Sequence, residues 1–250
     1  MFQGDSTPPI IVASQTGRLF VFGDIHGCLS ELDVLLSYLK NELSITQEDQ
    51  LIFLGDYIDR GPNSAGVIDA LIDLKAHFPK TIFLRGNHEQ FLQAASGLSG
   101  TVSDKAQIAW LKSGGKETIL SYGSDLTVAS NLKAMLPESH QQFLLSLGRY
   151  VIGPDYVCVH AGLDPLKNLL TQPDDVIYWI REPFLHFPHL FEKTVIYGHT
   201  PEKSIKYEPP FRLGIDTGIV YGNKLTMIEF TQKLVFQVAA SSKSVISSSF

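Results

Sequence analysis

Three short apolar runs in the first third of the chain each stop at a glycine followed by side chains that ligate metals. Leu51-Ile52-Phe53-Leu54 leads into Gly55-Asp56-Tyr57-Ile58-Asp59-Arg60-Gly61-Pro62-Asn63; Leu19-Phe20-Val21-Phe22 leads into Gly23-Asp24-Ile25-His26-Gly27; Ile82-Phe83-Leu84 leads into Arg85-Gly86-Asn87-His88-Glu89. A run of that kind closed by glycine reads as a buried strand ending in a loop. Asp24 and Asp56 stand 32 positions apart, Asp56 and Asn87 31, each enough for a βαβ step of about 30 residues. Leu29, Leu32, Leu35, Leu36 and Leu39 recur at helical spacing, as do Val67, Ile68, Leu71, Ile72 and Leu74 behind Ser64 as a candidate N-cap. Right-handed crossovers then place the three strands in one sheet with their ligand-bearing loops on one edge, where open α/β sheets bind ligands.

The remaining chain supplies two more such strand ends. Tyr156-Val157-Cys158-Val159 runs into His160-Ala161-Gly162-Leu163, and Thr194 to Tyr197 into Gly198-His199-Thr200. Residues 91–150 are helical in pattern, with Gly114-Gly115 as a break, and read as a cap near the site. Arg212 to Asp216, Ile219 to Tyr221 and Lys224 to Phe230 read as an antiparallel meander, with a further strand at Lys233 to Ala239 and a short edge strand at Ile10 to Val12. The expected organisation is one domain over residues 1–240, loosely held at residues 1–16, and a disordered tail at 241–250, which has six serines.

Composition removes several classes of function. A net charge of −6 without a Lys/Arg-rich run argues against a nucleic-acid surface. No apolar segment reaches the ~18 residues of a membrane span, and Met1 to Gly17 lacks the pattern of a signal peptide. A cytoplasmic monomer is expected. Cys28 and Cys158 form no disulfide framework and are expected to fill space as buried thiols.

Together the strand ends offer Asp24, His26, Asp56, Asn87, His160 and His199, with Asp59, Arg60 and His88 beside them. This mixed nitrogen and oxygen set suits Mn²⁺, Fe, Zn²⁺ or Ni²⁺ better than Ca²⁺ or Mg²⁺. Six candidates are too many for one catalytic ion; two ions about 3.5–4 Å apart, bridged by one carboxylate, use them all. Asp56, on the middle strand end, is the natural bridge.

In order and spacing, the five blocks around Asp24, Asp56, Asn87, His160 and His199 resemble the signature of the PPP-type metallophosphatases, over roughly residues 18–230. That family includes serine/threonine protein phosphatases and symmetrical diadenosine tetraphosphate hydrolases. The resemblance implies an α/β fold, a β-sandwich of two mixed sheets flanked by helices in four α/β/β/α layers. It implies a first metal on Asp24, His26 and Asp56 and a second on Asp56, Asn87, His160 and His199, with Mn²⁺ as the foremost candidate, and direct attack on phosphorus by metal-bound hydroxide. Arg60 would bind the substrate phosphate together with Asn87, and His88, oriented by Asp59, would protonate the leaving oxygen. Trp179-Ile180-Arg181-Glu182 looks like the small bacterial branch and adds Arg181 as a second phosphate contact. The dinucleotide hydrolases tend to lack the acidic residue before Arg-Gly in block two and to carry Asp after the block-three His. Asp59 and Glu89 therefore point to a phosphoprotein substrate, phosphoserine or phosphothreonine first and phosphotyrosine second. Symmetrical hydrolysis of dinucleoside tetraphosphates, or hydrolysis of other small phosphoesters, is the alternative.

Overall fold

The computed structural model describes residues 8–125 and 131–250; the expectation of a loosely held start lies outside these for residues 1–7. Two six-stranded mixed sheets face each other. In the first, β2 (Leu19–Phe22), β3 (Gln50–Phe53) and β4 (Ile82–Phe83) run parallel and adjacent, as the crossover argument requires. The crossovers are α1 (Leu29–Asn41) and α2 (Ser64–His77). The cap of α2 is Asn63, not the expected Ser64: the Asn63 side chain accepts the Gly66 N–H, whereas the Ser64 hydroxyl is turned inward to the Asp59 N–H.

The second sheet is built from β1 (Ile10–Ile11), β5 (Tyr150–Ile152), β6 (Tyr156–Val159), β7 (Thr194–Tyr197), β9 (Arg212–Gly214) and β8 (Lys206–Glu208), in that spatial order. Strand alternation separates three cores. Leu19, Val21, Ile52 and Leu54 point between the sheets, against Val151, Cys158, Ile196 and Leu213. Their neighbours Phe20, Phe22, Leu51 and Phe53 point outward under α1 and α2. Val157, Val159, Val195 and Tyr197 face a third cluster with Ile177, Tyr178 and Phe184, supplied by the long connection that carries the short helix α8 (Asp174–Ile177). With both faces buried, such strands read as unbroken apolar runs.

Two expectations need correction. The meander does not form: β9 pairs parallel with β7 in one sheet, Ile219–Tyr221 is a 3-10 turn, and β10 (Lys224–Glu229) crosses to the other sheet between β2 and β11 (Leu234–Ala239). Glycine-punctuated strand patterns specify strands and turns but not which sheet receives them. The serine-rich tail is ordered rather than disordered. Val245–Ser249 forms β12, antiparallel to β11, because a ladder of backbone hydrogen bonds is open to any side chain on an available edge. Both free cysteines are buried. Among the described residues no helix is long and apolar enough to cross a membrane.

Candidate metal centre

All five ligand-bearing strand ends meet at one edge of the sandwich, three from the first sheet and two from the second. The loops reach this edge in conformations that side chains seldom adopt. His26, Asp56, Asp59, Arg60 and His199 all have φ between 46° and 74°. Such left-handed non-glycine residues are costly and cluster where surrounding structure holds them for function. Gly86 is dictated by the same crowding, since a Cβ there would run into the Asp56 carboxylate.

Asp56 is the centre of the arrangement. Its Oδ2 lies 3.5 Å from His26 Nε2 and 3.9 Å from His88 Nε2, and its Oδ1 lies 3.5 Å from His160 Nε2. The Asn87 Oδ1 is 2.9 Å from both His160 Nε2 and His199 Nδ1. Two groups of potential ligand atoms, each within 4.8 Å, share Asp56: one with His26 and His88, the other with His160 and His199. Asp56, the expected bridge, is the residue common to both groups. The first group differs from expectation, with His88 in the place foreseen for Asp24. Asp24 still borders the centre, since its Oδ2 accepts the His199 N–H at 3.0 Å, while its Oδ1 is buried without a hydrogen-bond partner.

The donor chemistry fits divalent cations. His26 and His160 direct Nδ1 at the backbone carbonyls of Ile58 (2.9 Å) and Leu54 (3.0 Å), which places the proton on Nδ1 and leaves Nε2 as the acceptor nitrogen. Burial holds His26 down to about 3, and burial together with His160 does the same for His199, so both imidazoles are neutral. Burial and the neighbouring Asp216 and Asp56 carboxylates push Asp24 well above the usual range. Burial opposes the charge on Asp56 as well, but the four surrounding imidazoles outweigh it and pull its pKa down. Neutral imidazoles and an orphaned carboxylate oxygen packed among acidic groups are a donor set completed by positive charge. Arg60 supplies some of that charge, with Nη1 donating to His26 Nε2 at 2.9 Å, the same nitrogen an ion would take.

His88 is held differently from the ligand candidates. Its Nδ1 donates to Asp59 Oδ2 at 2.7 Å, and Asp59 is completely buried. Burial opposes protonation of His88, but Asp56 and Asp59 more than offset it and raise its pKa. On the rim, Arg181 is exposed and acts electrostatically on His199 and Asp216. Its neighbour Glu182 pairs with His186 at 2.5 Å. Trp179 forms wall: its ring lies edge-on to His199 at 6.1 Å and its Nε1 donates to Gln90 Oε1 at 2.9 Å.

Several contributors had no readable signal in the sequence. Trp110 and Thr118 both donate to Asp59 from the helical region 91–150. Tyr221, 64% exposed, lies under the Arg60 guanidinium at 5.7 Å. Glu89 does not reach the site surface at all; its buried carboxylate accepts the N–H groups of Asp56, Tyr57 and Gly86 at 2.8–2.9 Å. Its role as a substrate marker has no contact to support it. His77, His186 and His189 lie apart from both ligand groups, and His140 bridges Tyr122 and Asp69 instead.

Known proteins share both the sequence pattern and the architecture. Bis(5′-nucleosyl)-tetraphosphatase PrpE (asymmetrical) of Oceanobacillus iheyensis is 27% identical over 253 aligned positions, spanning 89% of this chain and 92% of that protein. A crystal structure provisionally named a diadenosine tetraphosphatase superposes with a TM-score of 0.67 at 23% identity, over 93% of this chain and 98% of the other. A cold-active protein tyrosine phosphatase gives 0.60 at 16% identity, over 96% and 80%. At those identities the two structures speak for the fold alone. The sequence profile of the calcineurin-like phosphoesterases matches residues 17–213, the span that holds all five strand ends, and the chain belongs to that family of metallophosphoesterases.

Proposed function

We propose that this protein is a binuclear metal-dependent hydrolase of dinucleoside tetraphosphates that cuts them asymmetrically. The substrate class is supported by curated relatives named for that activity that align along about nine-tenths of both chains, among them those of Oceanobacillus iheyensis and Bacillus cereus. The chemistry rests on one observation, two ligand groups sharing the Asp56 carboxylate. Asp24, His26 and Asp56 would hold one ion, with His88 beside them as the proton donor, and Asp56, Asn87, His160 and His199 would hold the other. When bound, two divalent ions supply Lewis acidity toward a phosphoryl oxygen and a water of lowered pKa. Arg60 and Arg181 neutralise the remaining phosphate charge, which a planar guanidinium does by bonding two oxygens at once. His88 delivers a proton from Nε2 to the leaving oxygen while Asp59 fixes its Nδ1.

A second reading is favoured by the Asp59–His88 pair. A leaving nucleotide departs as a phosphate, whose second pKa is about 6, and needs little protonation; the alkoxide of serine or threonine needs a proton. A buried acid pair therefore suits phosphoprotein monoesters, as expected from the sequence. Diadenosine tetraphosphate and phosphoserine, phosphothreonine and phosphotyrosine peptides, compared with Mn²⁺ present, separate the two. AMP with ATP as the products supports the proposal. ADP alone makes the cut symmetrical, and turnover of peptides without the dinucleotide establishes the second reading.

A further inference from the structure

We propose that Trp110 and Thr118 are positioning residues for the Asp59–His88 pair, so that the helical segment 104–121 sets the reaction's proton donor from outside the strand ends. The inference rests on the reading of His88 as that donor.

The Asp59 carboxylate is surrounded by donors from this segment. Trp110 Nε1 lies 3.0 and 2.9 Å from its two oxygens, and Thr118 Oγ1 donates to Oδ1 at 2.6 Å. Oδ2 accepts His88 Nδ1. The Thr118 oxygen, having donated its one proton, also accepts the Asp59 backbone N–H at 2.9 Å and lies 3.0 Å from Ser64 Oγ. One hydroxyl thus grips both the carboxylate and the backbone of a residue held at φ 74°. Indole is a donor only, so Trp110 can serve the anion and nothing else there. Its ring is locked in turn, because a Cβ on Gly115 would stand 2.5 Å from it.

The same segment holds Arg60. Between α4 (Asp104–Trp110) and α5 (Lys116–Ser121) the chain kinks within Leu111–Gly115, where Gly114 takes the non-helical φ of 109°. The kink directs the Gly114 carbonyl at the Arg60 N–H (3.1 Å) and the Ser113 carbonyl at Arg60 Nε (3.3 Å). A Cβ on Gly114 would lie 2.6 Å from Arg60 Cγ. A misplacement of about 1 Å in a reacting group can cost about 100-fold in rate, and here the adjacent residues Asp59 and Arg60 are both placed by one packed segment.

The test uses Thr118→Val, which removes the hydroxyl at constant shape, Thr118→Ser, which restores it, and Trp110→Phe, which keeps the ring. Each is assayed on phenyl phosphate, a poor leaving group, and on 4-nitrophenyl phosphate, a good one. Thr118→Val and Trp110→Phe should lower kcat on phenyl phosphate by about 10- to 100-fold, lose much less on 4-nitrophenyl phosphate, and leave KM and metal content unchanged. Thr118→Ser should recover most of the loss. In zinc-loaded enzyme the low-field proton on His88 Nδ1, identified by its absence in His88→Asn, should shift in Thr118→Val and return in Thr118→Ser. Equal losses on the two substrates, a rise in KM alone, or an unmoved His88 proton overturns the inference. His88→Asn separates it from the reading beneath it. If that variant loses rate equally on both esters, the donor role fails; if it shows the split and Thr118→Val does not, only the positioning role fails.

Discussion

The carboxylate of Glu89 accepts the backbone N–H of Asp56 at 2.9 Å, tying the first turn of the helix after β4 to the loop that carries the bridging candidate. The same side chain reaches back to the Gly86 N–H, closing the helix N-terminus. Glu89→Gln should cost about 1–3 kcal/mol, because an amide NH₂ turned toward these donors leaves buried N–H groups unpaired. Urea denaturation measures it. Glu89→Asp, one methylene short, should lower stability and activity without changing the ratio of dinucleotide to phosphopeptide turnover, since no part of Glu89 faces substrate. A change in that ratio would return Glu89 to the role of specificity marker.

His88→Asn should retain both metals and lose about 10²- to 10⁴-fold in rate on substrates with poor leaving groups. Loss of bound metal would instead make His88 a ligand, in line with its nearness to His26 and Asp56. Elemental analysis beside kinetics decides between the two.

The sequence was most legible where local chemistry determines position. An apolar run, a glycine and a ligand mark a strand end wherever they occur, and five of them in order located the site. The meander failed because nothing local in β9 or β10 says which sheet receives it: Leu213 and Ile228 bury against the same inter-sheet core from opposite sheets. Trp110 and Thr118 were invisible for a related reason. Their spacing matches ordinary helix-core positions, and only tertiary packing turns an indole N–H and a hydroxyl toward Asp59. Tyr221 reads as part of a strand, whereas it lies in the 3-10 turn Ile219–Tyr221 that carries its ring under Arg60.

Arg181→Ala should weaken competitive inhibition by inorganic phosphate and raise KM while metal content stays at that of wild type. Arg181→Lys should rescue only part of the loss, because an ammonium lacks the planar fork. Phosphate titrations on the three proteins test this, and unchanged inhibition in Arg181→Ala would remove Arg181 from the phosphate site.

Asp49 fixes the entry to β2, accepting from the Arg18 N–H at 2.9 Å, from Arg18 Nη2 at 2.8 Å and from the Thr46 N–H at 2.8 Å. Burial opposes its charge, but Arg18 and these N–H groups outweigh it and hold its pKa below the usual carboxylate value. A depressed carboxylate stabilises the fold above its unfolded pKa of about 3.9 and loses that contribution as pH falls through the lower folded value. Asp49→Asn should therefore cost about 1–2 kcal/mol at pH 7 and pH 5, with the difference from wild type shrinking below about pH 4. Urea unfolding at pH 7, 5 and 3 measures it; a constant difference down to pH 3 would contradict the assignment.

The proposed function requires one carboxylate, Asp56, to join two metal sites contributed by two sheets. Metal content per chain, measured by elemental analysis on wild type, His26→Ala, His199→Ala and Asp56→Asn after the same Mn²⁺ loading, tests it most directly. The expected result is two ions in wild type, one in each histidine variant, and weakened retention of both in Asp56→Asn, whose neutral amide cannot supply the bridging charge. A single ion in wild type, or two ions retained in Asp56→Asn, would contradict it.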